Sequence, residues 1–240
     1  MDTGNYIRTN IGRLYHSMKR TPLKDRILPN YTTGEELANM ITHIVGGGIG
    51  VLITLACILV ASIHRNVYGI VSGCIYGFTL IALYTVSSVY HGLKPPIAKK
   101  VFQVIDHCTI YFLIAGTYTP ILLSAIRVHY PAMAWIGFGI EWGLAFTAAA
   151  LTAIDLKKYN ALSMICYIGM GWFVIFFLKV TISSITMPGF LWLLAGGISY
   201  TIGAVLYGIG ARKRYFHTVF HVFVDMGSLL QAVCILRYVL

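Results

Sequence analysis

The chain has 240 residues, 58% of them hydrophobic and only 11% charged, with a net charge of +10 and a mean hydropathy of +0.75. That balance excludes an ordinary soluble domain and points to a protein that crosses a membrane several times. The basic excess does not indicate a nucleic-acid partner, because Lys and Arg are scattered over short connections between apolar runs rather than gathered on one surface.

In chain order, residues 1–36 form a polar, basic segment with no cleavable signal, so the first apolar run reads as an uncleaved anchor. Six basic residues here hold the topology or rest on anionic headgroups. Apolar stretches of spanning length, about 20 residues each, follow at 38–62, 67–91, 101–125, 131–153, 160–180, 188–210 and 216–238. Turn formers separate them, among them "HGLKPP" at 91–96, Tyr130-Pro131 and Met187-Pro188-Gly189. The expected fold is all-α, a seven-transmembrane helix bundle over 37–240. "GGGIG" at 46–50 lies inside a span with no strand before it, and reads as close helix packing rather than a phosphate loop. Cys57, Cys74, Cys108, Cys166 and Cys234 fall singly in apolar runs, which argues against disulfides or a cysteine zinc site.

Orientation follows from the basic residues. One side collects Arg8, Arg13, Lys19, Arg20, Lys24 and Arg26, then Lys94, Lys99 and Lys100, Lys157 and Lys158, and Arg212, Lys213 and Arg214. The other has Arg65, Arg127, Lys179 and Arg237. Fourteen against four predicts a cytoplasmic N-terminus and an external C-terminus.

Titratable groups within spans cost about 2.5 to 3.5 kcal/mol at mid-helix on insertion scales, which makes them candidate functional residues. In the expected topology, Ser87 and His91 close helix 2, Asp106 lies about a turn and a half into helix 3, and His217 and His221 open helix 7. All five share one level near the cytoplasm. Residues four apart lie on one helix face, so His217 and His221 can bind one ion from adjacent turns, and Ser87 and His91 repeat the spacing. Three imidazoles beside Asp106 fit a catalytic zinc site with a fourth position left to water, Asp106 bonding that water and Ser87 a neighbouring oxygen.

Each element has a plainer reading. H-x-x-x-H in a membrane helix also serves interhelical hydrogen bonding. Ser87 also fits a bond to the carbonyl four residues earlier, and Asp106 an N-terminal helix charge or a counterion for Lys99 or Lys100. Asn39 and His43 share a face of helix 1 and could line the cavity, while His107 points about 100° from Asp106. His16, His64 and His129 need no special role. Asp225, one turn beyond His221, fits a supporting partner, a proton relay or a neutral buried acid. Glu141 has Lys179 as a possible partner, though a Lys snorkelling to the interface is the simpler account of Lys179.

Ser87-x-x-x-His91 ending helix 2, Asp106 in "DHCTIYFLIAGTYTP", His217-x-x-x-His221 in "HTVFH" and "GEELANMITHIVGG" at the entry to helix 1 together resemble the hemolysin III family. That family is the bacterial branch of the progestin and adipoQ receptor family, and the resemblance runs over about residues 33–240. Phe220 stands where many relatives carry tryptophan. The resemblance implies a bacterial plasma-membrane protein with seven helices and zinc (Zn2+) on His91, His217 and His221, and kinship with alkaline ceramidases and other lipid hydrolases. The leading expectation is a zinc-dependent hydrolase of a lipid amide or ester at the cytoplasmic leaflet, with Asp106 and Ser87 catalytic and membrane lipid as substrate. The alternatives are a pore-forming, cytolytic or membrane-regulating protein with a structural zinc, and a receptor-like sensor.

Overall fold

A computed structural model describes residues 20–210 and 213–240; Arg8, Arg13, Lys19 and Arg212 of the charge count, and His16, lie outside them. The described residues contain helices and no strand. These are α1 (Thr33–Ile63), α2 (Val67–Gly92), α3 (Pro96–Pro120), α4 (Pro131–Ile154), α5 (Asn160–Gly171), α6 (Leu178–Gly210) and α7 (Phe216–Cys234). Six helical runs are long and apolar enough to cross a membrane, the fifth being the 50-residue run Asn160–Ile209.

Local sequence explains most of the boundaries. Helix α1 starts at Thr33, five residues before the expected apolar run, because Thr32 and Glu35 close a capping box that extends the helix into polar sequence. Glu35 Oε2 accepts from the Thr32 N–H at 2.8 Å, and Thr32 Oγ1 accepts from the Glu35 N–H at 3.3 Å. Asn66 caps α2 by accepting from the Gly69 N–H at 2.9 Å. Helix α3 runs into Pro120, which has no N–H to donate one turn back. The following turn, Ile121–Ile126, is π-helical, and a short helix, Arg127–His129, completes the element.

The long fifth run has two irregularities. Phe173–Phe177 tightens to a 3-10 helix between α5 and α6. Within α6, Thr186 has φ 65° and ψ 166°, a left-handed value that a β-branched residue rarely adopts, two positions before Pro188. The helix direction breaks here.

Small residues set how closely the helices approach. Gly46 and Gly50 of the GGGIG stretch face α2 or α7, whereas a side chain at Gly48 would meet nothing. At Gly77 a Cβ would collide with the Thr54 side chain across the α1–α2 contact, and at Gly116 with Thr79 across α2–α3. Gly77→Ala is therefore expected to force these helices apart and destabilise the bundle by about 1 to 3 kcal/mol, read as a lower midpoint in detergent-resistant thermal unfolding. Gly48→Ala should leave that midpoint unchanged.

Two sets of bonds tie the ends of the bundle. At one end, Glu35 Oε1 accepts from the Tyr215 N–H at 2.8 Å, joining the starts of α1 and α7. At the other, His64 Nδ1 bonds the Leu240 carbonyl at 2.7 Å, and Asn66 Nδ2 donates to Ser124 Oγ at 2.6 Å.

Candidate metal centre

Three helix ends meet where Glu35 joins α1 to α7. His91 lies on the last turn of α2, while His217 and His221 lie one turn apart at the start of α7. One ring nitrogen from each falls within 4.8 Å of the others. His217 Nε2 and His221 Nε2 are 3.1 Å apart, and the His91 ring centroid is 5.3 Å and 5.1 Å from those of His217 and His221. His91 and His221 are buried, whereas His217 keeps part of its surface open.

Helix α1 orients the rings. His91 Nδ1 is 2.7 Å from Glu36 Oε2, and the other Glu36 oxygen is 2.8 Å from Lys99 Nζ. A carboxylate cannot donate, so the proton is placed on His91 Nδ1 and the Nε2 lone pair is free. Lys99 Nζ also donates to the His91 and Leu93 carbonyls at 3.3 and 3.2 Å. On α7, His221 Nδ1 is 3.2 Å from the Asn39 carbonyl, which places its proton there and again frees Nε2. Asn39 also reaches Thr218 through Oδ1. His43 lies flat on His221, with ring centroids 3.7 Å apart and planes at 10°.

These residues fit a metal ion. His91 Nε2 is buried and has no hydrogen-bond partner among the described residues, an expensive condition for a polar atom in an apolar interior. Two facing Nε2 lone pairs on His217 and His221 repel unless a proton or a cation lies between them, and a single cation answers all three nitrogens. A set of three neutral imidazoles suits a borderline divalent ion such as zinc. The carboxylate–histidine pairing of Glu36 with His91 is the support that metal-bound histidines require. Glu36→Gln is expected to weaken metal affinity about 10- to 100-fold, seen as a shift in competition with a chromogenic chelator.

Asp106 is not in the group of converging ligand atoms, and it and Ser87 line a cavity that His217 and His221 also face. This cavity, lined by His43 and His107 as well, runs along apolar side chains of α3, α5, α6 and α7, including Leu113, Ile168 and Leu193, to Trp172 and Gln231. His107 reaches the same cavity wall and faces Tyr207, with centroids 6.2 Å apart.

Several readings change. Lys99 pairs with Glu36 and Lys100 Nζ donates to the Lys24 carbonyl, so neither is a counterion for Asp106. Glu141 is fully buried with both carboxylate oxygens unpartnered among the described residues, while Lys179 is exposed. Their ion pair does not form. Asp225 belongs to a second polar cluster, in which the Tyr84 and Tyr200 hydroxyls bond Ser228 Oγ at 2.6 and 2.7 Å. Its Oδ1 has no partner among the described residues and packs against Gly46.

Glu36 and Tyr31 were not singled out by sequence reasoning. Glu36, Asn39 and His43 recur at three- and four-residue spacing, which places them on one helix face and could have exposed Glu36. Tyr31 stacks on His217, with centroids 4.9 Å apart and planes at 22°, yet precedes the first helix in a segment without periodicity.

Fold and site together define a multi-pass membrane protein with a histidine cluster able to hold a metal. The chain belongs to the Haemolysin-III related family, whose sequence profile matches residues 31–232. It is 36% identical over 210 residues to Hemolysin-3 of Bacillus cereus, covering 86% of this chain and 92% of that protein. It is 36% identical over 215 residues to a Hemolysin-3 homolog of Bacillus subtilis, covering 87% and 96%. A more distant likeness, 27% over 234 residues, covers 91% of this chain and 90% of the human monocyte to macrophage differentiation factor.

Proposed function

We propose that this chain is a seven-pass, zinc-dependent hydrolase that cleaves an amide or ester bond of a membrane lipid at the cytoplasmic leaflet. The observation that carries this reading is a His91 Nε2 unpartnered among the described residues in a tri-histidine cluster, with Asp106 and Ser87 on the adjoining wall of an apolar cavity.

Seven passes are supported by parity. The Glu35–Tyr215 bond puts the starts of α1 and α7 on one face, so the chain between them crosses an even number of times. At 1.5 Å per residue, a 50-residue run is about 75 Å long, over twice the ~30 Å hydrocarbon core. The break at Thr186 divides it into two passes, making six before α7. The distribution of Lys and Arg favours a cytoplasmic location for the histidine end.

His91, His217 and His221 would hold the ion. When bound, zinc polarises a carbonyl and acidifies water. Asp106 accepts a proton from the attacking water and returns it to the leaving nitrogen or oxygen. Ser87 has one hydrogen to donate, either to the Asp106 carboxylate, which it then positions, or to the developing oxyanion. Leu113, Ile168, Leu193 and their neighbours hold an acyl chain away from water, which strengthens the polar contacts at the histidine end. The experiment is a panel of amide and ester lipids in nanodiscs containing the purified chain. Chelator-sensitive release of fatty acid supports the reading, and release that survives His217→Ala removes it.

A second reading comes from the relatives named Hemolysin-3: a membrane-lytic protein whose metal is structural. Dye leakage from vesicles that persists in Asp106→Asn, with metal still bound, would favour it. Three ligands with Asp106 set apart favour the hydrolase, because structural zinc usually has four protein ligands.

A further inference from the structure

Residues 20–32 do not hang free of the bundle. The Thr21 N–H donates to Asp155 Oδ2 at 2.7 Å, at the corner between α4 and α5. Arg26, which is buried, donates through Nη2 to the Ile154 carbonyl at 3.1 Å, and Nε reaches back to the Thr21 carbonyl at 3.5 Å. A 3-10 turn at Leu23–Asp25 lies between Thr21 and Arg26, and Lys100 Nζ on α3 donates to its Lys24 carbonyl at 2.6 Å. The segment thus passes from the α4 end over the start of α3 and reaches α1 at Thr32. Its last side chain before that cap is Tyr31, stacked on His217 and 5.9 Å from the His91 ring. Burial raises the Tyr31 phenol above its ordinary value, with Tyr207, Glu36 and Asp106 adding to the effect.

We propose that residues 20–32 are a latched strap: Thr21–Asp155 and Arg26–Ile154 are the latch, and Tyr31 is the plug that closes the cytoplasmic side of the histidine centre. The proposal rests on the reading of that centre as the reactive site, but the strap itself is independent of it. Residues 20–30 precede the stretch that the family profile matches, and Tyr31 is its first residue. The Asp155 carboxylate is well suited to a latch. Burial opposes its ionisation, but N–H bonds from Thr21 and Lys158 and the nearby Arg26 outweigh that and hold it below the ordinary aspartate range. A hydrogen bond to a charged acceptor is the stronger kind, and only the strap's own donors need to leave for it to open. Headgroups then reach His217 and Asp106 from the cytoplasm when the strap swings, while acyl chains already lie in the cavity.

The test measures access to the centre in the full chain in nanodiscs, in two arms. In the otherwise wild-type chain, the rate of metal loss to excess chelator is compared with that of Thr21→Pro, which removes the N–H donor together with the Thr21 hydroxyl, and Arg26→Met, which keeps the long stem. In a His217→Cys chain, which needs no ion, the rate of thiol labelling at position 217 is compared with and without the same two substitutions. Each latch variant should speed both rates about tenfold, and Tyr31→Ala should do so without either. If the chain holds no metal, the first arm is silent, which counts against the proposed function, and the labelling arm still decides the strap. Labelling that Tyr31→Ala accelerates but both latch variants leave within twofold makes Tyr31 a local plug and overturns the strap. Labelling that no substitution changes overturns both parts.

Discussion

Replacing His91 with alanine is expected to remove the metal from the purified protein. His91 is the ligand whose free nitrogen has no alternative partner among the described residues, and its loss leaves only two imidazoles on one helix. Replacement of a mere supporting residue costs about 10- to 100-fold in affinity, so removal of a ligand should exceed that. Elemental analysis should fall from about one zinc per chain to near background in His91→Ala and in His221→Ala. His64→Ala, at the opposite end of the bundle, should retain the wild-type content. Equal metal in His91→Ala and wild type would mean that the ion, if any, is held elsewhere.

The second large effect is on turnover. Asp106 is not in the set of converging ligand atoms, so Asp106→Asn should keep the zinc and lose the proton acceptor. General acid–base groups contribute about 100- to 10,000-fold, and release of fatty acid from whichever lipid the wild type cleaves should fall within that range. Ser87→Ala should fall less, because Ser87 acts partly through Asp106. Loss of metal in Asp106→Asn would instead make the aspartate a ligand and remove the argument for an open position.

Much of the fold was legible because the bilayer imposes length and hydropathy on each span. The turn signal Met187-Pro188-Gly189 falls beside the irregular Thr186, but the helix runs on across this kink as Leu178–Gly210. The start of α1 was misplaced because the capping box at Thr32 and Glu35 carries the helix into polar sequence, where hydropathy is silent. At the site, the i, i+4 histidines of α7 and the nearby His91 could be brought together on paper because helix periodicity fixes their faces and topology their depth. Glu36 and Lys99 could not. They lie 55 and 8 positions from His91, and charges at helix entrances ordinarily report only capping and orientation. Tyr31 was hidden for a related reason, since a strap is positioned by contacts with distant loops and not by its own pattern.

The same limit applies to the acids. Opposite charges on paper suggested a bond between Glu141 and Lys179, yet the lysine is exposed and Glu141 lies wholly inside. Spacing correctly placed Asp225 one turn beyond His221, but not the Tyr84–Ser228–Tyr200 cluster beside it, because that cluster joins α2, α6 and α7.

The most direct measurement is X-ray absorption at the zinc edge on the purified, lipid-embedded protein, paired with an anomalous map of its crystals. Three imidazole nitrogens at about 2.0 to 2.1 Å, from His91, His217 and His221, plus one light-atom ligand lying toward Asp106, is the predicted sphere. A fourth protein ligand would leave a structural ion, and an ion bound away from His91, or none at all, would contradict the centre itself.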